Sequence, residues 1–303
     1  MTVTDGPLEW LALSRGTLDR AAERRDDDAW LAAAWDDPRT RVLPVHEGRA
    51  PVVLEPAPAL VFVPPAQAPA GDRRLLGVDE DGTAYFTVAG EFAVEGAERA
   101  GLRRVGAILG DRDSGLLTHA VALEHWHATH RYCPRCGAQT RVAQAGHVRV
   151  CPADGAQQFP RVDPAVIMLV TDPDDRVLLA RGPQWPADRR SILAGFVEPG
   201  ESLEQAVARE VLEEVGLHVR DVRYLGSQPW PMPRSLMLGF TAVTDETGLR
   251  PDPAEILDAG WYTREELRAA IDAGEIVAPG PLSIAAQLIM RWYGGELPHM
   301  PPF

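Results

Sequence analysis

The run from Gly195 to Leu217, GFVEPGESLEQAVAREVLEEVGL, constrains this chain more than any other segment. Ser202 and Gln205 have the spacing of a capping box, which predicts a helix starting just after Glu201. Gly216 is placed to stop it. Inside the predicted helix, Glu210, Glu213 and Glu214 are three and four residues apart, so their carboxylates crowd one face. From Glu201 to Gly216 the charges are five Glu and one Arg. Like charges so spaced cost a helix ~0.2–0.5 kcal/mol per pair, and Arg209 alone cannot offset them. A hard divalent cation such as Mg2+ or Mn2+ resolves the repulsion, because it seeks clustered carboxylate oxygens. A solvated acidic face is the bland alternative, but it does not explain the bordering glycines, Glu201 and Arg209.

Written as G-x5-E-x7-R-E-V-L-E-E-V-G-L, the segment resembles the Nudix box of the Nudix hydrolases at every defining position. The resemblance implies metal-assisted cleavage of a diphosphate bond. It assigns metal binding or water activation to Glu210, Glu213 and Glu214, with Glu213 and Glu214 the catalytic candidates. It also implies a bracing pair between Glu201 and Arg209, and a metal contact from the backbone carbonyl of Ala194.

Ten residues past the box lies Ser227-Gln-Pro-Trp-Pro-Met-Pro-Arg-Ser235. Three prolines in five residues argue against a regular central strand and predict a stiff extended loop presenting Gln228, Trp230 and Ser235. Trp230 can cover the sheet, or stack on a nucleobase or nicotinamide. With the box, this segment resembles SQPWPFPxS of the NADH pyrophosphatase (NudC-like) branch, with Met232 in place of Phe. That branch splits NADH or NAD+ into nicotinamide mononucleotide and AMP, and removes NAD caps from RNA 5′ ends. The resemblance implies substrate contacts from Phe159, Phe196, Gln228, Pro229, Trp230, Pro231, Met232, Pro233, Arg234, Ser235 and Ala285. It also implies a further metal carboxylate, Glu255, and a homodimer.

Cys133-Pro-Arg-Cys136 and Cys151-Pro-Ala-Asp154 are paired ligand positions with fourteen residues between them. Four cysteines at this spacing would mark a zinc ribbon, which the family carries here, but the fourth position is Asp154. Three readings stand: zinc held by Cys133, Cys136, Cys151 and Asp154; His147 replacing Asp154; or a ribbon that has lost zinc and is held by packing. In each, the zinc would be structural.

The 303 residues allow two substantial domains and a small insert. The expected division is an N-terminal domain at 1–111, a helical linker at 112–130, a zinc-ribbon-like segment at 131–158 and a Nudix domain at 159–303. LVFV at Leu60–Val63 and AYFTV at Ala84–Val88 read as strands, and Leu18–Trp35 as broken helix. Ser114–Thr129 reads as a helix whose histidines (with His130 beside it) are packing or solvent-facing residues in preference to ligands. In the last domain, strands are expected at Ala165–Thr171, Val177–Ala180, Ile192–Val197, Val222–Gly226 and Leu236–Val243. Helices follow at Arg264–Ala273 and Ser283–Tyr293. The mixture predicts an α/β (α+β) protein with an α/β/α sandwich around a mixed sheet.

No apolar run approaches the ~20 residues needed to span a bilayer, so no membrane partner is expected. Three cysteines, all in the ribbon, fit a reducing cytoplasm. A net charge of −14 disfavours DNA and predicts a weak hold on the body of any RNA. The leading expectation is a hydrolase of NAD(H) and of NAD-capped RNA. Alternatives are a Nudix enzyme acting on ADP-ribose or dinucleoside polyphosphates, and a non-catalytic nucleotide-sensing regulator.

Overall fold

A computed structural model describes residues 6–300. The chain divides into two compact units. One comprises Arg15–Val162 and Trp230–Arg234; the other, among the described residues, comprises 6–14, 163–229 and 235–300.

The first unit opens with α1 (Asp28–Asp36), where the Asp27 side chain caps by accepting from the Trp30 amide. The expected broken helix over Leu18–Trp35 is a single 3-10 turn, Ala22–Arg24, followed by α1. Six strands follow: β1 (Arg41–Val45), β2 (Arg49–Val53), β3 (Ala59–Leu60), β4 (Arg74–Val78), β5 (Ala84–Ala89) and β6 (Glu98–Gly101). They make two three-stranded sheets, ordered β1-β5-β4 and β3-β2-β6. AYFTV becomes the central strand β5, and Phe86 packs in a core with Val42, Leu75 and Val88. LVFV is only partly a strand: Leu60 ends β3, while Val63 makes an isolated bridge to Val42. Strand β1 escapes the sequence pattern because Pro44 interrupts it, which an edge strand tolerates.

Two helices, α2 (Leu102–Val105) and α3 (Asp111–Thr129), lead to the ribbon strands β7 (Arg141–Ala143), β8 (Val148–Val150) and β9 (Gln157–Gln158). The histidines of α3 serve packing. His127 is buried, with Nε2 2.8 Å from the Gly146 carbonyl and Nδ1 2.9 Å from Arg149 Nη1. The geometry suits a neutral ring that donates to the carbonyl and accepts from the guanidinium. His147 has Nε2 2.8 Å from the Leu75 carbonyl, and its ring lies 5.2 Å from that of His119.

In the second unit, β10 (Asp163–Thr171) is the spine of a six-stranded mixed sheet. It pairs in parallel with β14 (Ser235–Val243) and antiparallel with β11 (Val177–Arg181) and β12 (Leu193–Phe196). The outer strands are β13 (Arg220–Trp230) and β15 (Asp258–Tyr262). Six successive residues of β10, Ala165–Val170, are buried, because both faces are covered. Val166, Met168 and Val170 pack with Ala206, Val207, Val211 and Val215 of α4 (Leu203–Val215). Ile167 and Leu169 pack with α5 (Arg264–Asp272) and α6 (Ile284–Tyr293). Each fully buried aliphatic side chain contributes roughly 1.5–3 kcal/mol, and their alternation along β10 is what makes the α/β/α sandwich. Residues 6–14, from the start of the span expected as an N-terminal domain, join this unit: the Leu8 amide donates to the Leu225 carbonyl at 2.8 Å. Among the described residues no helix is long and apolar enough to cross a membrane.

Three neutral histidines of the first unit imply a pH dependence, and burial holds one of them, His119, well below the usual range. Burial, first, pushes His127 down to about 3 and His147 to about 4. An unfolded histidine titrates near 6.5, so between these values the unfolded chain binds more protons. Stability is therefore complete above about pH 6.5 and is lost as pH falls towards 4. Thermal melts from pH 7.5 to 5 should show a falling midpoint, up to ~1.4 kcal/mol per histidine per pH unit. His147→Gln should flatten the profile.

Candidate functional site: a carboxylate cluster on α4

The cluster is built by one helix and two loops. Ser202 Oγ accepts from the Gln205 amide at 3.2 Å and Gln205 Oε1 accepts from the Ser202 amide at 2.9 Å, so the capping box forms as spaced. Gly216 ends α4 in the left-handed region, φ 71°. The apolar stripe of α4 fixes its rotation against the sheet, and that rotation buries Glu210 and Glu214 beside the stripe. Glu255 is 41 residues from Glu214 in the chain. Backbone bonds bring it there: the Asp252 amide donates to the Glu214 carbonyl at 3.0 Å, and Glu255 and Ile256 donate back to Asp252. Glu210, Glu214 and Glu255 each offer a carboxylate oxygen within 4.8 Å of the others.

Three carboxylates this close cannot all remain ionised by themselves. Burial, then the charges of Glu210, Glu255 and Glu213, push Glu214 up to about 8. Burial also raises Glu210. Glu214 Oε2 is buried with no hydrogen-bond partner. An orphaned buried oxygen facing two more carboxylates is the donor set of a hard divalent cation, and the residues present fit one.

Arg209 connects the helix to the preceding loop. Its Nε and Nη2 donate to Glu201 at 2.8 and 2.9 Å, and Nη2 also donates to the Phe196 carbonyl at 2.9 Å. Nη1 donates to both Glu210 and Glu213 at 2.9 Å. The Arg209 bonds lower Glu201, and the carboxylates raise Arg209. Glu213 is thus held by Arg209 on the exposed side and lies outside the three-carboxylate group. Gly195, beside Ala194 on β12, closes against the cluster. A Cβ there would sit 1.9–2.1 Å from the Glu210 carboxylate, so only glycine lets strand and helix approach this closely.

The proline-rich segment corrects one expectation. Ser227–Trp230 is not a loop but the end of β13, and Ser235 begins β14; only 231–234 form the turn. Pro229 is accommodated because β13 is an edge strand. Gln228 does not present its side chain: it is 0% exposed, accepting from the Leu13 amide at 3.4 Å and donating to the Leu282 carbonyl at 3.0 Å. Ala285 is buried in the first turn of α6. Within the first unit, Trp230 lies under the Arg103 guanidinium, 5.5 Å from the ring centre, and His125 Nδ1 is 3.2 Å from the Pro233 carbonyl. Pro231, Met232 and Arg234 complete that turn. Phe196 and Phe159 are 59% and 64% exposed, each in its own unit, which leaves both rings free to meet a ligand.

In the ribbon, Cys133, Cys136, Cys151 and Asp154 place one ligand atom each within 4.8 Å of the others. Two matching knuckles produce this. Cys133 donates its amide to Ala138 and accepts from Gly137, and Cys151 does the same with Ala156 and Gly155. Gly137 and Gly155 take the same left-handed conformation, φ 74° and 70°. Asp154 therefore stands where the first knuckle has Cys136. Amides of Arg135 and Cys136 lower the Cys133 thiol, while burial pushes Cys151 up to about 11. Three thiols and a carboxylate at this separation fit a tetrahedral zinc site. His147, turned to Leu75, does not replace Asp154.

The NUDIX domain family matches residues 161–279, and the NADH pyrophosphatase zinc ribbon domain family matches residues 128–159. The NAD-capped RNA hydrolase NudC of Mycobacterium tuberculosis (strain ATCC 25618 / H37Rv) is 44% identical over 94% of this chain and 95% of its own length. The chain belongs to the NudC-like branch of the Nudix hydrolases. The NAD-capped RNA hydrolase NUDT12 of Homo sapiens is 40% identical to this NudC-like chain over 61% of it and 42% of its own length.

Sequence spacing did not reveal the close approach at Gly195 or the reach of Arg209 to four acceptors, since both depend on the strand beside the helix. Gly195→Ala should displace the Glu210 carboxylate, the far end of a flexible side chain, while leaving the backbone in place. The expected outcome is a loss of hydrolysis of roughly 100-fold, with the melting midpoint shifted by only a few degrees. Steady-state rates with NADH and thermal melts check this.

Proposed function

We propose that this chain hydrolyses the diphosphate of NAD(H) to nicotinamide mononucleotide and AMP, and removes NAD caps from RNA 5′ ends. The observation that carries the reading is the Glu210–Glu214–Glu255 cluster in a chain that also holds SQPWPMPRS. The near full-length likeness to NAD-capped RNA hydrolases supports it.

Glu210, Glu214 and Glu255, with the carbonyl of Ala194, are the residues to hold Mg2+ or Mn2+. When bound, such cations neutralise the diphosphate and make water a better nucleophile. Glu213, held by Arg209 on the exposed side, or Glu214 in the cluster, takes the proton from the attacking water. Arg209 and Glu201 keep the 196–201 loop on α4, so that Phe196 is presented at a fixed distance from the carboxylates. Phe196 and Trp230 are assigned to the nicotinamide, with Phe159, Pro229, Pro231, Met232, Pro233, Arg234, Ser235 and Ala285 as further substrate positions. Gln228 contributes by bracing the end of β13 from inside. Zinc in the ribbon is structural, and the working enzyme is a homodimer in the cytoplasm.

Product analysis with NADH, ADP-ribose and a dinucleoside tetraphosphate tests the reading. Metal-dependent release of reduced nicotinamide mononucleotide and AMP, faster than cleavage of the other two, is expected. Preference for another substrate would keep the chemistry and reject the specificity. Tight nucleotide binding without cleavage would make the protein a sensor. Glu214→Gln should lower turnover by ~100-fold or more. Because it removes one of three crowded carboxyl groups, the same variant should melt no lower than wild type in the absence of divalent cations.

The ribbon is tested by elemental analysis, with about one zinc per chain expected. Asp154→Cys should hold that zinc against a chelator for longer, since thiolate is the softer donor. Only trace zinc in both proteins would show a ribbon held by packing.

A further inference from the structure

The net charge of −14 argues against any grip on RNA beyond its cap, yet the basic residues are not evenly spread. In the first unit a cleft of about 370 Å³ is lined by Arg49, Arg99, Arg103 and Arg104, with Glu47 the one acidic residue in its wall and Met232 at one side. All four arginines are exposed. Strand pairing sets two of them: β2 and β6 run antiparallel with Arg49 opposite Gly101 and Pro51 opposite Arg99, which puts Arg49 and Arg99 on one face. Gly101 has no side chain to compete, and a Cβ there would lie 3.8 Å from Arg49 Cγ and 3.0 Å from the Gly48 carbonyl.

Three of these four charges are, among the described residues, not neutralised by an ion pair. Arg104 pairs with Glu98 at 2.8 Å. Among the described residues Arg49, Arg99 and Arg103 enter no ion pair. Instead the Arg99 guanidinium lies 5.2 Å from the centre of the Phe92 ring, and that of Arg103 lies 5.5 Å from that of Trp230. An aromatic face orients a guanidinium and leaves its charge and its N–H fork available. A row of such forks suits phosphate oxygens, which accept paired N–H bonds. The cleft shares Met232 with the SQPWPMPRS segment, and Trp230 of that segment lies under Arg103.

We propose that this arginine cleft binds the phosphodiester backbone of the RNA chain behind an NAD cap. The inference rests on the proposed function and adds to it: cap chemistry belongs to the carboxylate cluster, while preference for capped RNA over free NADH comes from Arg49, Arg99 and Arg103. A chain of strong overall negative charge repels polyanions at long range, so one local cleft concentrates what affinity exists. Binding should therefore be salt-sensitive and independent of base sequence.

The test is the double variant Arg49→Glu/Arg99→Glu, with Arg49→Ala/Arg99→Ala as a milder pair. Arg41→Glu/Arg268→Glu, exposed arginines outside the cleft, match its change in net charge. Steady-state kinetics use free NADH and a 12-nucleotide NAD-capped RNA, and thermal melts check folding. Fluorescence anisotropy follows a 3′-labelled RNA of the same sequence with a 5′-hydroxyl. Expected is an unchanged kcat and KM for NADH, and a KM for capped RNA raised roughly tenfold in the cleft variants only. Affinity for the uncapped RNA should fall in parallel, and the slope of log Kd against log salt should drop by about 1.4 for two lost phosphate contacts. Equal RNA affinity in wild type and cleft variants, an equal loss in the charge-matched control, or tighter binding of an acidic peptide would overturn the inference. Failure of the wild type to cleave NADH would overturn the proposed function instead, and the anisotropy arm would still decide the cleft.

Discussion

The mutual repulsion of Glu210, Glu214 and Glu255 is the constraint around which the second unit is organised. One oxygen from each lies within 4.8 Å of the others, and burial denies water to Glu210 and Glu214 while Glu255 stays exposed. Such a group is stable only where something else holds its carriers in place. Here the apolar stripe of α4 against β10 does so, together with the backbone bonds that hang the Asp252–Ile256 turn on the end of the helix. Burial first, and then the neighbouring carboxylates, raise Glu214, and a bound cation is the natural relief.

Arg209 sits between stability and function. One guanidinium accounts for bonds to Glu201, Glu210, Glu213 and the Phe196 carbonyl. It thereby couples the loop that presents Phe196 to the helix that presents the carboxylates. Gly195 makes the same coupling possible sterically, because any side chain there would displace Glu210. Charge and shape are solved by adjacent residues of one segment, which explains why the spacing of that segment is so restrictive.

The ribbon and the arginine cleft show two ways in which the first unit tolerates change. The knuckle geometry comes from a glycine turn and two backbone bonds, so Asp154 can stand where the first knuckle has Cys136 without loss of the turn. The cleft draws its charges from β2, β6 and the α2 segment, and no motif spans them. Its presence in a chain of charge −14 shows that net charge bounds long-range attraction and says little about a local site.

Features that depend on near neighbours in the chain can be read from the order of residues alone. The capping box, the face shared by Glu210 and Glu214, the two knuckles, and the helices and five of the six strands of the sandwich were legible, the edge strand β15 being missed. Each rests on a helical or strand period, or on a turn of a few residues. The family resemblance added Glu255, which no period reaches. The remainder depends on how distant segments pack. The packing withdrew Gln228 from display by giving both ends of its amide backbone partners, Leu13 and Leu282, from distant segments. It set Glu213 on Arg209 and left Glu214 unpartnered, though both are carboxylates of one helix. It made Pro229 part of an edge strand, and gathered Arg49, Arg99 and Arg103 into one cleft. One cause underlies all of these. Burial and strand partners are properties of pairs of segments far apart in the chain, and a local pattern carries no information about the second segment.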